Sequence, residues 1–476
     1  MRVSRIRVPG ECHPRLEEGF ERIHREFKLP LEFPDNVLDE ADWVAKVPFI
    51  PPLDRTDLPL VTIDPPGSMD LDQALLIEER LGGGYRVWYA IADVAAFVGP
   101  GGAVDSEARR RVETVYMPDG RVPLHPPVLS EGAASLLPGL VRPSALWCVD
   151  LDSDGAIVGT DVTRALVRSR ERLDYGYVQA AVDTGTADGT PKLLAEVGRL
   201  RLAMERIRGG VTLPTPEQEV ARRGDSYHVE FRAPLPAEAW NAQMSLLVGI
   251  AAARIMLDAE VGLLRVLPQA GPARTERVRR VAAALGVPWP DGAGYGEVVH
   301  TLDPKVPAQA AFLHESRSLL RGAGYVAFDG VPPADAEHAA VAAPYAHVTA
   351  PLRRLADRYA TEVCLAVASG EDVPEWVRTA LPSLPAIMEV GARRSRGVDR
   401  ACVDLVEAFV LRDRVGQTFE AVVVDVAEGR PGGMVQLTDP AVIARCDGDG
   451  LPLGETVTVR LTRAEPSTRE VRFATT

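Results

Sequence analysis

Hydrophobic and polar positions divide the chain into stretches of different period. From Leu60 to about Arg172 the pattern is that of strands. Ala74–Glu79 and Tyr85–Ala92 are apolar runs on either side of Gly82-Gly83-Gly84, which predicts a hairpin. Ala145–Leu151 and Ala156–Thr163 predict a second hairpin around Ser153-Asp154-Gly155. From about Leu193 to Val410 the spacing becomes helical. Helices are predicted over Leu193–Arg208, Ala237–Ala259, Pro272–Leu285, Pro351–Ala368 and Pro385–Val410, with short strands around Tyr227–Arg232 and Tyr325–Phe328. Gln417–Thr476 returns to short β-rich runs at Phe419–Val424, Met434–Leu437, Thr456–Leu461 and Glu470–Phe473, parted by Gly and Pro. Closely spaced short strands of this kind predict a small antiparallel barrel of the OB type. Ahead of all this, Arg15–Phe27 and Asn36–Val47 read as helices, and the prolines of Phe49–Leu53 hold the entry segment extended. The expected architecture is α+β: a short helical lead-in over 1–55, a large domain of antiparallel sheets with helices over 56–412, and a barrel over 413–476.

Composition narrows the class. With 476 residues, 46% hydrophobic and 25% charged, the chain is an ordinary globular protein. A formal net charge of −14 argues against a basic outer coat for nucleic acid, although a groove can still be locally basic. The five cysteines, Cys12, Cys148, Cys364, Cys402 and Cys446, form no C-x-x-C pair, so neither a disulfide framework nor a zinc site is expected, and a reducing cytoplasm is the expected location. Met1–Pro9 has no apolar run of the secretory type. Met244–Leu257 carries Ser245 and Arg254 and reads as a buried core helix too short for a bilayer, so no membrane association is expected.

The densest chemistry lies in Thr62-Ile63-Asp64-Pro65-Pro66-Gly67-Ser68-Met69-Asp70-Leu71-Asp72-Gln73-Ala74. Three aspartates share one loop between two apolar runs, and its Pro, Gly and Ser allow the backbone to fold back. Clustered carboxylates repel unless a cation neutralises them. Mg²⁺ takes such ligands together with substrate phosphate oxygens, and paired ions can clamp both ends of a phosphodiester displacement. A solvated acidic turn is the competing reading of the same residues.

The string T-I-D-x-x-x-x-x-D-L-D-x-A resembles the signature of the exoribonuclease II family of RNB-domain ribonucleases. The resemblance continues in order along the chain. Tyr89-Ala90-Ile91-Ala92-Asp93-Val94 is similar to the family's H-I-A-D-V strand. Tyr116-Met117-Pro118, then Pro127-Val128-Leu129-Ser130-Glu131 and Ser135-Leu136, resemble its Y-L-P … P-x-x-L-S-E … S-L block. Tyr345-Ala346-His347-Val348-Thr349-Ala350-Pro351-Leu352-Arg353-Arg354 resembles its H-x-T-S-P-I-R-R box, and the last sixty residues resemble the S1 domain that usually follows. The resemblance implies a Mg²⁺-dependent 3′-to-5′ exoribonuclease, with Mn²⁺ as an alternative ion. It would degrade single-stranded RNA to nucleoside 5′-monophosphates and act as a monomer. It implies metal and catalytic roles for Asp64, Asp70 and Asp72, a place at the RNA 3′ end for Tyr116, and a catalytic role for Arg353. Arg354, His347 and Thr349 follow as RNA contacts from the same box. If Pro351 opens a helix, Arg353 and Arg354 lie at its positive end, a placement that a bound phosphate would favour. Pairing of both arginines with Asp357 or other nearby acids is the alternative.

Two departures stand out. The family usually has Asp-Leu-Asp-Asp, whereas this chain has Asp70-Leu71-Asp72-Gln73. Gln73 is expected to ligate a cation through its carbonyl but without charge, which predicts a raised Mg²⁺ requirement. The alternative is a catalytically weakened RNA-binding protein. Second, Trp240-Asn241-Ala242-Gln243-Met244 stands where the family usually carries a helical glutamate, so Asn241 or Gln243 is expected to contact RNA. Thr212 or Leu213 marks the position of the family's base-clamping aromatic. The lead-in is too short for the paired cold-shock barrels of relatives and reads as a possible small RNA-binding subdomain. Arg109–Arg111, Arg277 with Arg279 and Arg280, and Arg393, Arg394 and Arg396 are candidates for a phosphate track. Asp150–Gly155 mimics a calcium loop but reads better as a hairpin turn.

Overall fold

The computed structural model describes residues 14–476 except 214–216, 224–225, 233, 305, 427–430 and 438, and residues 15 and 217–232 by their backbone alone. Met1–Pro9 and Cys12 lie outside the described residues. The first half of the chain is built on seven strands: β1 (Leu60–Asp64), β2 (Gln73–Glu79), β3 (Tyr85–Ala92), β4 (Val115–Met117), β5 (Gly120–Val122), β6 (Val141–Leu151) and β7 (Ile157–Asp174). β1, β2, β3, β6 and β7 close into a barrel in that order, and β4–β5 is a separate hairpin. The barrel departs from the expected all-antiparallel sheet at one seam. β1 pairs parallel with β7, which sets Asp64 beside Asp174.

Strand alternation buries both faces of this sheet. Leu75, Ile77, Val87, Tyr89, Ile91, Trp147 and Val149 enter one core with the helices Pro236–Asp258 and Leu355–Ser369. Ala74, Leu76, Ala90, Ala92 and Leu146 point the other way, into a second core with Val37, Ala41 and Val44. The Pro236–Asp258 helix spans 23 residues, within one residue of the expected Ala237–Ala259 at each end. By length and composition it could cross a membrane, but 67% of its most apolar window is buried in the protein, as a core helix requires.

The two N-terminal helices, Pro14–Glu26 and Asp35–Val44, do not form a unit of their own. Leu16, Phe20 and Ile23 pack on Val398, Cys402 and Leu405 of the helix Leu384–Leu411 and on Val115 and Met117 of β4. The C-terminal barrel closes in the order Thr418–Val426, Gly433–Gln436, Ile443–Asp447, Glu470–Thr475, Thr456–Glu465. Ile443–Asp447 is the strand that hydrophobicity alone did not reveal. Its Phe419 and Phe473 are buried and meet edge to face at 5.9 Å, so both are core residues rather than base-stacking platforms. Asp152 accepts the amides of Asp154 and Ala156, which makes Asp150–Gly155 the hairpin turn expected.

Candidate active site

The aspartate loop leaves the end of β1 and returns as β2. Its reversal uses Gly67 in the left-handed region (φ 80°) and a Ser68 amide bond to the Pro65 carbonyl. The Ser135-Leu136 motif then fixes it. The Ser135 hydroxyl accepts the Leu71 amide at 3.0 Å and donates to the Met69 carbonyl at 2.6 Å, and the Leu136 amide donates to the Leu71 carbonyl. This strap holds Asp70 and Asp72 on opposite sides of the buried Leu71.

Asp72 sits at the bottom of the site with its side chain only 5% exposed. Its Oδ1 accepts the Leu352 amide at 2.8 Å, and its Oδ2 faces Arg353 Nε at 3.3 Å. Arg353 itself stays 35% exposed, so its guanidinium reaches from the buried carboxylate toward the surface. Burial pushes the Asp72 carboxyl up to about 8, although Arg353 and the Leu352 amide pull it down. Asp70 is held by the β4–β5 hairpin. Tyr116 and Arg121 lie opposite each other in that hairpin. The Tyr116 hydroxyl donates to Asp70 Oδ2 at 3.0 Å, and Arg121 Nη1 donates to Oδ1 at 2.8 Å. Burial is the main cause that raises the Tyr116 phenol, so it stays a neutral donor.

The arginine box is a turn and not the start of a helix. The buried Asp357 accepts the Ala350 amide and both Nε and Nη2 of Arg354, and the helix begins only at Leu355. Arg354 is therefore committed to Asp357, as the pairing alternative held. The turn is stitched to the segment leading into β4: the Thr114 amide donates to the Arg353 carbonyl, and the Leu355 amide to that of Val112. Tyr116, Asp70, Asp72 and Arg353 are thus placed by one connected frame.

The remaining candidates have internal partners. Gln73 was expected to ligate a cation, but its Oε1 accepts the Tyr89 hydroxyl and, at 3.2 Å, the Ser245 hydroxyl. Gln243 is buried and donates to Glu205 on the helix Gly189–Arg208, which also accepts the Thr212 hydroxyl. Asn241 is close to the site: its Nδ2 lies 3.4 Å from both the Ile63 carbonyl and the Tyr175 hydroxyl. Tyr175 follows the β7 residue that pairs with Asp64 and opens the helix Tyr175–Asp183. His347 bonds Tyr325 through Nδ1 at 2.6 Å, and Thr349 is buried. The arginine clusters are mostly paired: Arg109 with Asp105, Arg110 and Arg111 with Glu107, Arg277 with Glu315.

These contacts bear directly on metal binding. Both oxygens of Asp70, both of Asp72 and the oxygen of Gln73 already accept protein donors. Among the described residues, no group of three His, Cys, Asp or Glu side chains stands close enough to hold a metal ion. The residues do not form a ready cation cage as they are arranged.

Residues 53–369 match the RNB domain, and residues 417–476 match the RNase II-type exonuclease C-terminal S1 domain. The chain is 28% identical over 402 residues to Ribonuclease R of Escherichia coli, an alignment covering 79% of this chain and 48% of that protein. The chain thus spans about half the length of that relative. Its fold is similar to that of Mycoplasma genitalium RNase R, solved in the apo form (TM-score 0.86, 18% identity, covering 97% of this chain and 78% of the other) and also with single-stranded and double-stranded RNA. It is also similar to yeast Ssd1, described as a pseudonuclease (TM-score 0.72, 17% identity, 93% and 57% covered).

Proposed function

The chain belongs to the RNB family, and we propose that it is a 3′-to-5′ exoribonuclease that hydrolyses single-stranded RNA to nucleoside 5′-monophosphates in the cytoplasm, as a monomer, with Mg²⁺ or Mn²⁺. The observation that carries the proposal is the Asp72–Arg353 pair beside Asp70 and Tyr116. A buried carboxylate anchors a guanidinium that stays partly exposed. A guanidinium so held is aimed before substrate arrives and offsets charge that develops on phosphoryl oxygens. Tyr116, kept neutral, orients the terminal nucleotide through its ring while its hydroxyl steadies Asp70. The relative solved with ribose-methylated single-stranded RNA and with double-stranded RNA supports RNA as the substrate. Divalent-ion dependence rests on the family resemblance, because the oxygens of Asp70 and Asp72 as placed already accept protein donors.

One observation favours a second reading, an RNA-binding protein with weakened catalysis: the fourth acidic position is Gln73, and its oxygen is engaged inside the protein. One assay separates the two. Single-stranded RNA labelled at its 5′ end is incubated with Mg²⁺ or Mn²⁺ and the wild type or Asp72→Asn. A descending ladder that the substitution abolishes is the expected result. Retention of RNA without shortening, in both proteins, would establish the second reading instead.

A further inference from the structure

The β4–β5 hairpin has two faces with different duties. Strand alternation sends Val115, Met117 and Val122 into one core with Leu16, Phe20 and Ile23 of the helix Pro14–Glu26. Tyr116 and its cross-strand partner Arg121 point the other way and hold the two oxygens of Asp70 at 3.0 and 2.8 Å. Each strand has only three residues, and a two-stranded ribbon of that size does not keep its shape alone in water. The base of the ribbon is anchored: the Thr114 amide donates to the Arg353 carbonyl, and the Leu124 amide to the Thr114 hydroxyl. Its tip, Pro118-Asp119, reaches the end of the N-terminal helix, where His24 Nε2 stands 3.2 Å from Asp119 Oδ2. The two side chains are 18% and 23% exposed, so water screens this pair less than a fully exposed one. The helix that carries His24 is itself closely seated. A Cβ on Gly19 would stand 2.5 Å from Leu405, and one on Gly397 would stand 2.5 Å from Phe27.

We infer that His24 is a positioning residue for the reaction at the aspartate loop. It touches no reacting group, but it pins Asp119 and so fixes the tilt of the hairpin from which Tyr116 and Arg121 hold Asp70. The inference rests on the nuclease reading above. Tyr116 and Asp119 are three residues apart, at most about 10 Å of extended chain, so a shift of the tip is carried to the Tyr116–Arg121 pair. Hydrogen bonds weaken steeply once donor and acceptor are misaligned. Both donors to Asp70 ride on the one ribbon, so they are kept or lost together. The lead-in helix thus braces the site from behind.

Turnover of 5′-labelled single-stranded RNA by the full chain is measured for the wild type, His24→Leu, His24→Gln, Asp119→Asn, the double variant His24→Leu with Asp119→Asn, and Glu26→Gln. The last removes a pair from the same helical turn, Glu26 with Arg469 at 2.7 Å, without touching the hairpin. His24→Leu and Asp119→Asn are each expected to lower kcat about tenfold, the weight of one hydrogen bond to a charged group, with KM little changed. The double variant should be no slower than either single one, because both remove the same contact. His24→Gln keeps a side-chain N–H donor and should recover most of the rate, and Glu26→Gln should stay within about twofold of wild type. Amide hydrogen exchange gives a second readout. In His24→Leu, residues 113–124 should exchange faster while the helix Leu384–Leu411 keeps its protection. Wild-type kcat in either single variant, additive losses in the double one, or a Glu26→Gln protein as slow as His24→Leu would overturn the inference while the nuclease reading stands. A wild type that shortens no RNA refutes the nuclease reading, and exchange then decides alone: unchanged protection of 113–124 overturns the pinning, and faster exchange sustains it. Asp119→Asn, a change of one atom, keeps both readouts decisive should His24→Leu not fold.

Discussion

Replacing Gln73 by aspartate restores the family's fourth acid in sequence but not in structure. Gln73 opens β2 and shares a face with Tyr89 on β3, whose hydroxyl donates to Gln73 Oε1. The Ser245 hydroxyl, from the core helix, donates to the same oxygen at 3.2 Å and lies 2.9 Å from the Tyr89 oxygen. Aspartate is one methylene shorter and withdraws the acceptor by roughly 1.5 Å, the length of a carbon–carbon bond. Ser245 can turn to the Tyr89 oxygen, so one buried donor is orphaned, not two. An unsatisfied buried donor costs about 1–3 kcal/mol, and a carboxylate set among apolar barrel residues adds to that. The expected net loss for Gln73→Asp is about 2–4 kcal/mol, or a few degrees in melting temperature. Gln73→Glu keeps the reach and both donors and should lose less. In the double variant with Tyr89→Phe the phenol donor is gone, and the Ser245 hydroxyl, without either acceptor, can turn to the carbonyl one turn back in its own helix, so the two costs should fall short of their sum by about 1 kcal/mol. Thermal melts in a chelator of the wild type, the three single variants and the double variant supply the measurement. A Gln73→Asp protein as stable as wild type, or strictly additive with Tyr89→Phe, would refute the network. The substitution alone is then not expected to lower the Mg²⁺ requirement.

Ser135→Ala should loosen the aspartate strap by orphaning the Leu71 amide and the Met69 carbonyl. Turnover on labelled RNA should fall at least about tenfold while stability drops by only about 1–3 kcal/mol; unchanged turnover would show that the strap is dispensable. Glu362, paired with Arg164 and near Asp93, is raised by burial to about 7. The fold favours its protonated form, so this contribution is full below the ordinary carboxyl range and is lost as pH rises through about 7. Glu362→Gln should flatten the fall in melting temperature between about pH 5 and about pH 8, an effect of up to about 3 kcal/mol, and a parallel profile would contradict the assignment.

Local signals in the sequence were read correctly where local physics decides the outcome. The two hairpins and the five main helices follow from glycine turns and apolar spacing, and the observed helices begin and end close to the expected positions. What was not legible depends on distant pairing. β7 runs to Asp174, well beyond Thr163, because β1, about a hundred residues earlier, gives its far half a parallel partner. The helix after Pro351 starts late because Asp357, one turn further on, caps the Ala350 amide and folds Leu352 and Arg353 into a turn. The aspartates were visible as a cluster, but their partners were not. Tyr116 and Arg121 reach Asp70 from a hairpin some fifty residues away, and Leu352 reaches Asp72 across 280 positions. The sequence leaves Gln73 and Gln243 open as ligands, because an amide carries no sign of which neighbour it will bond once buried.

The same partners change the meaning of the acidic balance. A net charge of −14 argues against a basic outer coat and leaves a locally basic groove, for which the arginine runs are the candidates. The arginine runs do not form that groove. Arg109, Arg110 and Arg111 answer Asp105 and Glu107 on their own helix, Arg277 answers Glu315, and Arg354 answers the buried Asp357. These guanidiniums are each paired with an acid, although Glu107 serves both Arg110 and Arg111 and Asp105 serves both Arg109 and Arg358, and the pairing reduces the field they offer a passing strand. Positive charge at the site itself comes chiefly from Arg353 and Arg121, and both are tied to the aspartates that they face. An arrangement of this kind attracts RNA weakly at a distance and acts strongly only on a phosphate delivered to it, because the guanidiniums do most once the strand has displaced water around them. On the proposed exonuclease reading, selection for a chain end follows from the geometry of the site, in which Tyr116, Asp70 and Arg353 lie on one frame, rather than from the bulk charge of the protein.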